Sequence, residues 1–426
     1  MTSFPTSLKN QLCSTSRRDR SIQVKQQSFR NRALRIGPDR SLVKKTPSEK
    51  SLASRKRNEN PKDDSMESAT KGKNHELDNT DHTSVTIDSL SDSLSDSFRE
   101  ECELQDVRVH ALLGIGAYGK VWLAHDKKTN QDVALKTISK KQLIDKGQVQ
   151  YVLREKNIMS SIDHPFILRM ESSSQDTKHL YFKLPVMKGG DLFSRIHTQT
   201  SHGLPKTSAA FYSSCVLDAL YYLHGCNIAH RDLKPENVLI DDIGYCRIMD
   251  FGFARIISQG EKCTTTCGTQ EYMSPELIMG KGHSWSVDCW AFGVMLHEML
   301  VGKTPFHSKS PLKMMKKVVT LQAKYPKNMD KDGRDLVQSL LKMDPNDRSD
   351  HDMKIKKHPF YKSINWDALV QKEIQAPWVP GTAEDPVKSA LLKKYTNHDI
   401  IGLSTELSGL SDCVLSDSDQ SLFVDF

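Results

Sequence analysis

The segment HRDLKPENVLIDDIGYCRIMDFGFAR, residues 230–255, decides how the whole chain is interpreted. It carries Asp232, Lys234 and Asn237 at short, fixed intervals, and Asp250 opens the triplet DFG further along. The motifs that precede this segment each admit a second explanation when they are taken alone. Its polar residues are therefore the reference against which the other motifs are judged.

Upstream lies a glycine cluster, Gly114-x-Gly116-x-x-Gly119-x-Val121. The same spacing marks dinucleotide-binding turns, which need a helix that opens at the glycines and an acid about twenty residues further on. Here "KVWLAHD" continues a strand pattern instead, and "VALK" ends in Lys136. This order predicts a glycine loop between two strands, in which backbone amides approach phosphate groups and a strand lysine lies behind them.

Glu155 lies in the segment "YVLREKNIM", whose apolar residues recur at helical spacing. A helix here would place Glu155 so that it pairs with Lys136. The alternative is an ordinary surface ion pair, which contributes at most about 1 kcal/mol. Glu155 alone does not decide between the two.

Taken together with "SPE" at 274–276, these residues resemble the eukaryotic protein kinases. "HRDLKPEN" and "DFG" match the catalytic and metal-binding loops of that family residue for residue. The resemblance implies an ATP- and Mg-dependent phosphoryl transfer, in which positioning and cations carry most of the catalysis. Asp250 and Asn237 would bind Mg²⁺, and Asp232 would orient the substrate hydroxyl.

The resemblance also assigns the nucleotide site. Lys136, paired with Glu155, would bind the α- and β-phosphates, and Lys234 would neutralise the γ-phosphate. The implied nucleotide-binding residues are Gly114, Gly116, Gly119, Val121, Ala134, Lys136, Leu184, Val186, Met187 and Asp191. Pro185 stands where the family typically has an acid, but the adenine contacts there use neighbouring backbone groups.

The implied fold class is α+β, with a small β-rich N-lobe that contains one key helix and a larger helical C-lobe. Residues 1–106 are predicted to form a disordered arm, basic at first and then acidic. Residues 107–360 would form the kinase domain, with the N-lobe at 107–185 and the C-lobe at 186–360. Residues 361–426 would form a C-terminal tail that runs back along the N-lobe.

"TTTCGTQEYMSPE", residues 264–276, resembles the activation segment of the AGC group, to which the cyclic-AMP-dependent kinases belong. Its phosphorylated threonine corresponds to Thr265, although the adjacent Thr264 and Thr266 leave the register open. A phosphate on Thr265 would pair with Arg231 and Arg255 through charge-assisted hydrogen bonds. The resemblance thus implies an activating kinase as a partner.

Three acids match the carboxylates with which the cyclic-AMP-dependent kinase binds arginines before the target serine. They are Asp191, Glu236 and Glu298. The resemblance therefore predicts basic protein substrates, because a carboxylate-lined cleft attracts cationic peptides. Gln270 and Thr266 depart from the family near the pocket for the residue that follows the target, so the preference at that position stays open.

Two pairings are expected to be structural. Glu276 and Arg348 match a buried ion pair of the family, and Asp288 matches the aspartate that braces the catalytic loop. The chain ends in Phe423-Val-Asp-Phe426, similar to the terminus of the cyclic-AMP-dependent catalytic subunit that docks beside the Glu155 helix. The alternative for this terminus is a frayed tail whose aromatic residues have no role.

Composition limits the remaining classes. The nine cysteines contain no C-x-x-C pair, so a reducing compartment, cytoplasmic and also nuclear, is expected. No apolar run is long enough for a membrane span. Residues 1–100 contain no cyclic-nucleotide cassette, which favours control by a separate regulatory subunit over a cyclic-GMP-dependent type. A second source of control is the pseudosubstrate-like "RNRALR", residues 30–35.

The sequence disfavours two other classes of protein. A catalytically silent scaffold is disfavoured by the complete catalytic set. Nucleic-acid binding by the basic arm is disfavoured because the arm lacks a periodic basic stripe with interleaved aromatic residues.

Overall fold

The computed structural model of the chain describes residues 106–116, 119–199, 202–258, 260–348, 354–381 and 415–426. The predicted disordered arm and the "RNRALR" segment lie outside these residues. Within the described ranges, no helix combines the length and the apolar character needed to cross a membrane.

The N-terminal part of the described chain is built on one antiparallel sheet with the strand order β1-β2-β3-β5-β4. The strands are β1 Val107–Ile115, β2 Gly119–Asp126, β3 Gln131–Ser139, β4 Ser172–Gln175 and β5 His179–Pro185. Alternate residues bury opposite faces, as the strand period requires. Leu135 and Tyr181 lie in a small outer cluster, whereas Ala134 and Phe182 face the main core.

Two helices connect β3 to β4, namely α1 Lys140–Asp145 and α2 Val149–Ser161. The spacing of Val152, Ile158 and Met159 buries one face of α2 against the main core. Glu155 lies on the same buried face. The helix therefore carries a carboxylate into the space beneath the sheet.

The C-terminal part is mainly helical. Its helices are α3 Leu192–Gln199, α4 Lys206–Gly225, α5 Pro275–Ile278, α6 Ser286–Val301, α7 Pro311–Val319, α8 Lys331–Leu340 and α9 Trp366–Val370. Helix α4 is buried along most of its length, and α6 packs against it and against α8. Helix α6 ends at Gly302, whose φ of 74° closes the helix in the left-handed conformation that glycine favours.

Four short strands form two hairpin-like pairs around the polar segment at 230–255. They are β6 Ile228–Ala229, β7 Val238–Ile240, β8 Cys246–Ile248 and β9 Arg255–Ile256, paired β6 with β9 and β7 with β8. A last helix, α10 Asp417–Gln420, leads into the C-terminal turn Ser421–Phe423. A sheet-rich lobe and a helical lobe are thus both present, and the α+β prediction is confirmed.

A buried ion pair joins α5 to the end of the helical lobe. Arg348 Nη1 and Nη2 donate to Glu276 Oε1 and Oε2, each at 2.7 Å. Both residues are almost fully buried, and the guanidinium lies 5.0 Å from the ring centre of Trp290. Breaking such a pair leaves one uncompensated charge in a medium of low polarity.

Replacing Glu276 by Ala should therefore lower the free energy of unfolding by about 3–5 kcal/mol, because Arg348 would stay buried without its partner. Urea unfolding followed by fluorescence measures the loss. Asp163→Ala is the matched control, because its pair with Arg169 spans 3.6 Å between largely exposed side chains and should contribute under about 1 kcal/mol. Equal losses in the two variants would contradict the expected role of the buried pair.

Candidate active site

A buried carboxylate fixes the backbone of the segment between β6 and β7. Asp288, in the first turn of α6, is 0% exposed. Its Oδ2 accepts the N–H of His230 and its Oδ1 accepts the N–H of Arg231, both at 2.8 Å. Burial alone would raise the pKa of Asp288, but the contact with His224 and the N–H donors outweigh burial and lower that pKa. The carboxylate is therefore ionised and holds two successive peptide groups.

The Asp232 side chain is surrounded by hydrogen-bond donors. Lys234 Nζ donates to its Oδ2 at 2.7 Å, and Asn237 Nδ2 lies 3.2 Å from the same oxygen. The N–H and hydroxyl of Thr269 donate to its Oδ1 at 2.8 and 2.7 Å. Lys234 Nζ also donates to Thr269 Oγ1 at 2.7 Å. Two donors on each oxygen fix the orientation of the carboxylate.

Lys136 of β3 meets Glu155 of α2 beneath the sheet. The distance from Lys136 Nζ to Glu155 Oε1 is 2.6 Å, and the Glu155 side chain is 8% exposed. Burial would lower the pKa of Lys136, but the carboxylates of Glu155 and Asp250 outweigh it and raise that pKa. Lys136 therefore stays charged at neutral pH and links the sheet, the helix and the DFG segment.

Asp250 and Asn237 are the residues with which this site can hold a divalent metal. Asp250 adopts a φ of 68°, in the left-handed region that non-glycine residues seldom occupy. Asn237 Nδ2 donates to the Asp232 carbonyl at 2.8 Å, which turns the amide oxygen away from Asp232. The described residues contain no cluster of three or more His, Cys, Asp or Glu side chains arranged for a metal. Two oxygen donors suit an ion that keeps waters and binds phosphates, as Mg²⁺ does.

The glycine loop joins β1 to β2. Gly116 donates its N–H to the carbonyl of Gly119 at 2.8 Å. A side chain at Gly119 would lie 1.7 Å from the Thr137 carbonyl oxygen on β3, so no larger residue fits there. Around Gly114 there is open space. A loop of this composition leaves room for a phosphate against backbone amides.

The other predicted nucleotide-binding residues lie on the inner face of the sheet and in the segment that follows β5. Ala134 and Leu184 are opposite each other on β3 and β5, and Val121 is opposite Lys136. Val186 and Met187 pack against the main core just after β5. These apolar side chains form the walls beside the Lys136–Glu155 pair.

The three acids predicted to bind the substrate differ in their surroundings. Both carboxylate oxygens of Glu298 already have a partner. Its Oε1 lies 2.9 Å from His197 Nε2, and its Oε2 accepts the Tyr272 hydroxyl. Glu236 Oε2 is buried without a hydrogen-bond partner, and burial raises the pKa of this carboxyl to about 7. Asp191 caps α3 instead, since its carboxylate accepts the N–H and hydroxyl of Ser194.

The two arginines predicted to receive a phosphate on Thr265 meet at one sulfur. Arg231 Nη1 lies 3.0 Å and Arg255 Nη1 lies 3.6 Å from Cys263 Sγ. Thr265 is close enough to Cys263 to lower the pKa of its thiol, and the Thr265 side chain is exposed. Thr265 and both arginines are thus neighbours through Cys263.

The C-terminal residues dock on the outer side of α2. Phe423 is 0% exposed and Phe426 is 9% exposed, and both belong to the main core. The Phe426 ring lies 5.3 Å from the ring of Phe182, and the ammonium of Lys156, on α2, lies 5.4 Å from the centre of the Phe426 ring. Lys140 Nζ lies 5.2 Å from the Phe423 ring centre. The C-terminal residues are therefore packed against the small lobe, with both phenylalanine rings buried.

Sequence reasoning assigned no role to Thr269, Cys263 or His283. The contact of Thr269 could have been predicted from the sequence, because Thr269 lies in the segment at 264–276 that resembles an activation segment. No sequence motif pairs Cys263 with His283, because they lie in segments twenty residues apart along the chain. Their pairing consists of two backbone hydrogen bonds, from Cys263 N–H to the His283 carbonyl at 2.8 Å and from His283 N–H to the Cys263 carbonyl at 2.9 Å.

Comparison with known proteins agrees with this geometry. The sequence profile of the protein kinase domain matches residues 107–361. The chain is 33% identical over 329 residues to a RAC family serine/threonine-protein kinase homolog of Dictyostelium discoideum, which covers 77% of this chain and 72% of that protein. It is 34% identical to a cAMP-dependent protein kinase catalytic subunit of Schizosaccharomyces pombe, over 68% of this chain and 62% of that protein.

A further relative, a cAMP-dependent protein kinase catalytic subunit-like protein of Caenorhabditis elegans, is 34% identical over 66% of this chain and 71% of its own length. The chain therefore belongs to the protein kinase family. Within that family it is a serine/threonine kinase of the AGC type.

Replacing Phe423 and Phe426 by Ala should lower the melting temperature, because each buried phenylalanine contributes about 3–5 kcal/mol when it is truncated in a core. Phosphorylation of a peptide should slow about tenfold or more, since α2 would no longer hold Glu155 against Lys136. Val424→Ala is the control, as this side chain between the two rings is 76% exposed. A double variant with the normal rate and melting temperature would show that the docked rings have no role.

Proposed function

We propose that this kinase transfers the γ-phosphate of ATP to serine and threonine hydroxyls in proteins that carry arginine before the target residue, with Mg²⁺ as the metal. The observation that carries the proposal is the joint arrangement of Asp232, Lys234 and Asn237 beside the Lys136–Glu155 pair. Protein kinases in general use ATP and a divalent metal. In such a site the metal would be held by Asn237 and Asp250, and it supplies positive charge to the phosphates.

Asp232 is the residue placed to orient the substrate hydroxyl. Each of its carboxylate oxygens already accepts two donors, so a hydroxyl must replace one of them. The contact with Asn237 at 3.2 Å is the longest, and Lys234 Nζ is shared with Thr269. Lys234 can therefore turn towards a phosphate while Thr269 continues to fix Asp232. Lys234 then supplies positive charge where negative charge develops on the transferred phosphate. Asp232 accepts a hydrogen bond from the substrate hydroxyl.

Glu236 is the acid best suited to bind an arginine of the substrate. Its Oε2 is the buried acceptor without a partner, and a guanidinium presents donors in a planar fork. Glu298 would strengthen the site through its charge, although His197 and Tyr272 already bind it. Asp191 would contribute from its helix-capping position, with less freedom than a longer acid.

We also propose activation by a phosphate on Thr265 and control through a separate cyclic-nucleotide-binding subunit. The position of Thr265 beside Arg231 and Arg255 supports the first proposal, because two guanidiniums can bind a phosphate strongly. The second rests on the resemblance of the chain to proteins named as cAMP-dependent catalytic subunits. A cytoplasmic and nuclear location would suit such a role.

A peptide library tests the reaction and the specificity together. With ATP and Mg²⁺, peptides with Arg two and three positions before Ser should be phosphorylated at least about tenfold faster than acidic or proline-directed peptides, since one arginine contact contributes over about 1.4 kcal/mol. The variant Asp250→Asn is the control for contaminating kinases and should abolish the signal. Equal use of acidic peptides would overturn the basic preference while leaving the kinase reaction intact.

The raised pKa of Glu236 predicts a specific pH dependence. The carboxyl is charged above about pH 7 and neutral below it. Lowering the pH through 7 should therefore raise KM for an arginine-containing peptide, whereas kcat changes less. Glu236→Gln should remove this dependence, and a peptide with Ala in place of the arginine is the matched control. The same KM profile in the wild type and in Glu236→Gln would rule out Glu236 as the arginine-binding group.

A further inference from the structure

Arg231 is a buried cation without a carboxylate partner. The residue is 5% exposed, and none of the described Asp and Glu side chains forms an ion pair with Arg231 or Arg255. The Arg231 Nε donates to the Phe253 carbonyl at 2.7 Å, and its Nη1 points at Cys263. A buried guanidinium normally needs an anion close by, because an uncompensated charge in the interior is strongly destabilising.

Two guanidiniums converge on the sulfur of Cys263. Arg231 Nη1 lies 3.0 Å and Arg255 Nη1 lies 3.6 Å from Cys263 Sγ. A neutral thiol is a weak acceptor, whereas a thiolate is an anion that suits such an environment. Burial would raise the pKa of Cys263, but Thr265 and the two arginines outweigh burial and lower that pKa.

His283 supplies a second, independent sign of an anion position. It is 2% exposed, and neither of its ring nitrogens has a hydrogen-bond partner among the described residues. His283 and Cys263 are directly paired in an antiparallel bridge, so their side chains lie on the same face. Burial and then the charge of Arg231 lower the pKa of His283, so its ring stays neutral.

The side chains packed around the sulfur are apolar, since Ala229, Ile257 and Trp285 form a cluster with Cys263. Cys267 is near enough to interact, but burial raises its pKa to about 11, so it stays a thiol. The carboxylates of Glu276 and Asp288 act on His283, and Asp288 binds the backbone N–H of Arg231, but neither forms an ion pair with the side chain of Arg231 or Arg255. Among the described residues, Cys263 is therefore the ionisable side chain that directly contacts both arginines.

We propose that Cys263, as a thiolate, is a positioning residue for phosphoryl transfer, because it acts as the resident counter-anion of Arg231 and Arg255 while Thr265 carries no phosphate. This role rests on the proposed function, in which a phosphate on Thr265 takes the same arginines. Arg231 precedes Asp232 directly, and its backbone is fixed by Asp288. The sulfur thus acts on Asp232 through Arg231, by tying the activation segment to the catalytic loop.

The consequence is a measurable basal activity that depends on the charge at position 263. Three variants test this charge, each in the Thr265→Ala background. Cys263→Ala removes the acceptor, Cys263→Ser supplies a neutral acceptor, and Cys263→Asp supplies a permanent anion. Initial rates with an arginine-containing peptide give kcat and KM. We expect kcat to fall about tenfold with Ala and less with Ser, and to recover with Asp, because a hydrogen bond to a charged group contributes about 1.5–3 kcal/mol. Cys226→Ser, half-buried and away from the arginines, is the control.

Two further measurements separate this role from mere structural damage. The ultraviolet thiolate absorption of wild type minus Cys263→Ser should appear well below the pH at which ordinary thiols ionise. In full-chain protein phosphorylated on Thr265, Cys263→Ala should lose much less activity than in the Thr265→Ala background. Melting temperatures identify any variant that fails to fold.

Equal rates for Ala and Asp, or no thiolate band below the ordinary range, would overturn the proposal for Cys263. Failure of the proposed function has a different signature. If no condition yields a phosphate on Thr265 by mass spectrometry, or Thr265→Ala has full activity with and without an activating kinase, Thr265 is not the regulatory site. The charge series at position 263 still gives its own answer in that case.

Discussion

The active site depends on one buried carboxylate. Asp288 comes from the core helix α6 and binds two consecutive backbone N–H groups of the catalytic loop. This contact sets the direction of the next residue, Asp232, and places the Arg231 side chain towards the activation segment. Because α6 is buried and packs against both α4 and α8, the catalytic geometry is supported by the core of the helical lobe.

A second linkage connects the lobes to this frame. The Lys136–Glu155 pair joins the sheet to α2, and the segment at Phe251 packs against the same helix. The docked Phe423 and Phe426 cover the other side of the small lobe and extend the main core. The position of α2 is thus set from the core, from the sheet and from the C-terminal residues together.

The spacing of the motif predicted that Asp232, Lys234 and Asn237 lie together, and the structure places them in contact, while their catalytic roles stay predictions. Asp232, Asn237 and Asp250 can be found from local motifs alone. The end of α6 at Gly302 follows from the preference of glycine for the position after a helix. What could not be predicted depends on contacts between distant segments. The bridge between Cys263 and His283, and the use of Asp191 as a helix cap, arise only once the chain is folded.

The site that receives the C-terminal phenylalanines also selects for the charge of the segment that binds there. Lys140 and Lys156 lie over the two rings, and Lys140 Nζ donates an N–H to Gln420 Oε1 at 2.8 Å. This rim of ammonium groups suits the acidic stretch Asp417–Gln420 and repels a lysine- and arginine-rich segment. A basic peptide is therefore disfavoured at this site, whereas an acidic one is accepted, so the charge of a segment affects its binding as much as its aromatic residues do.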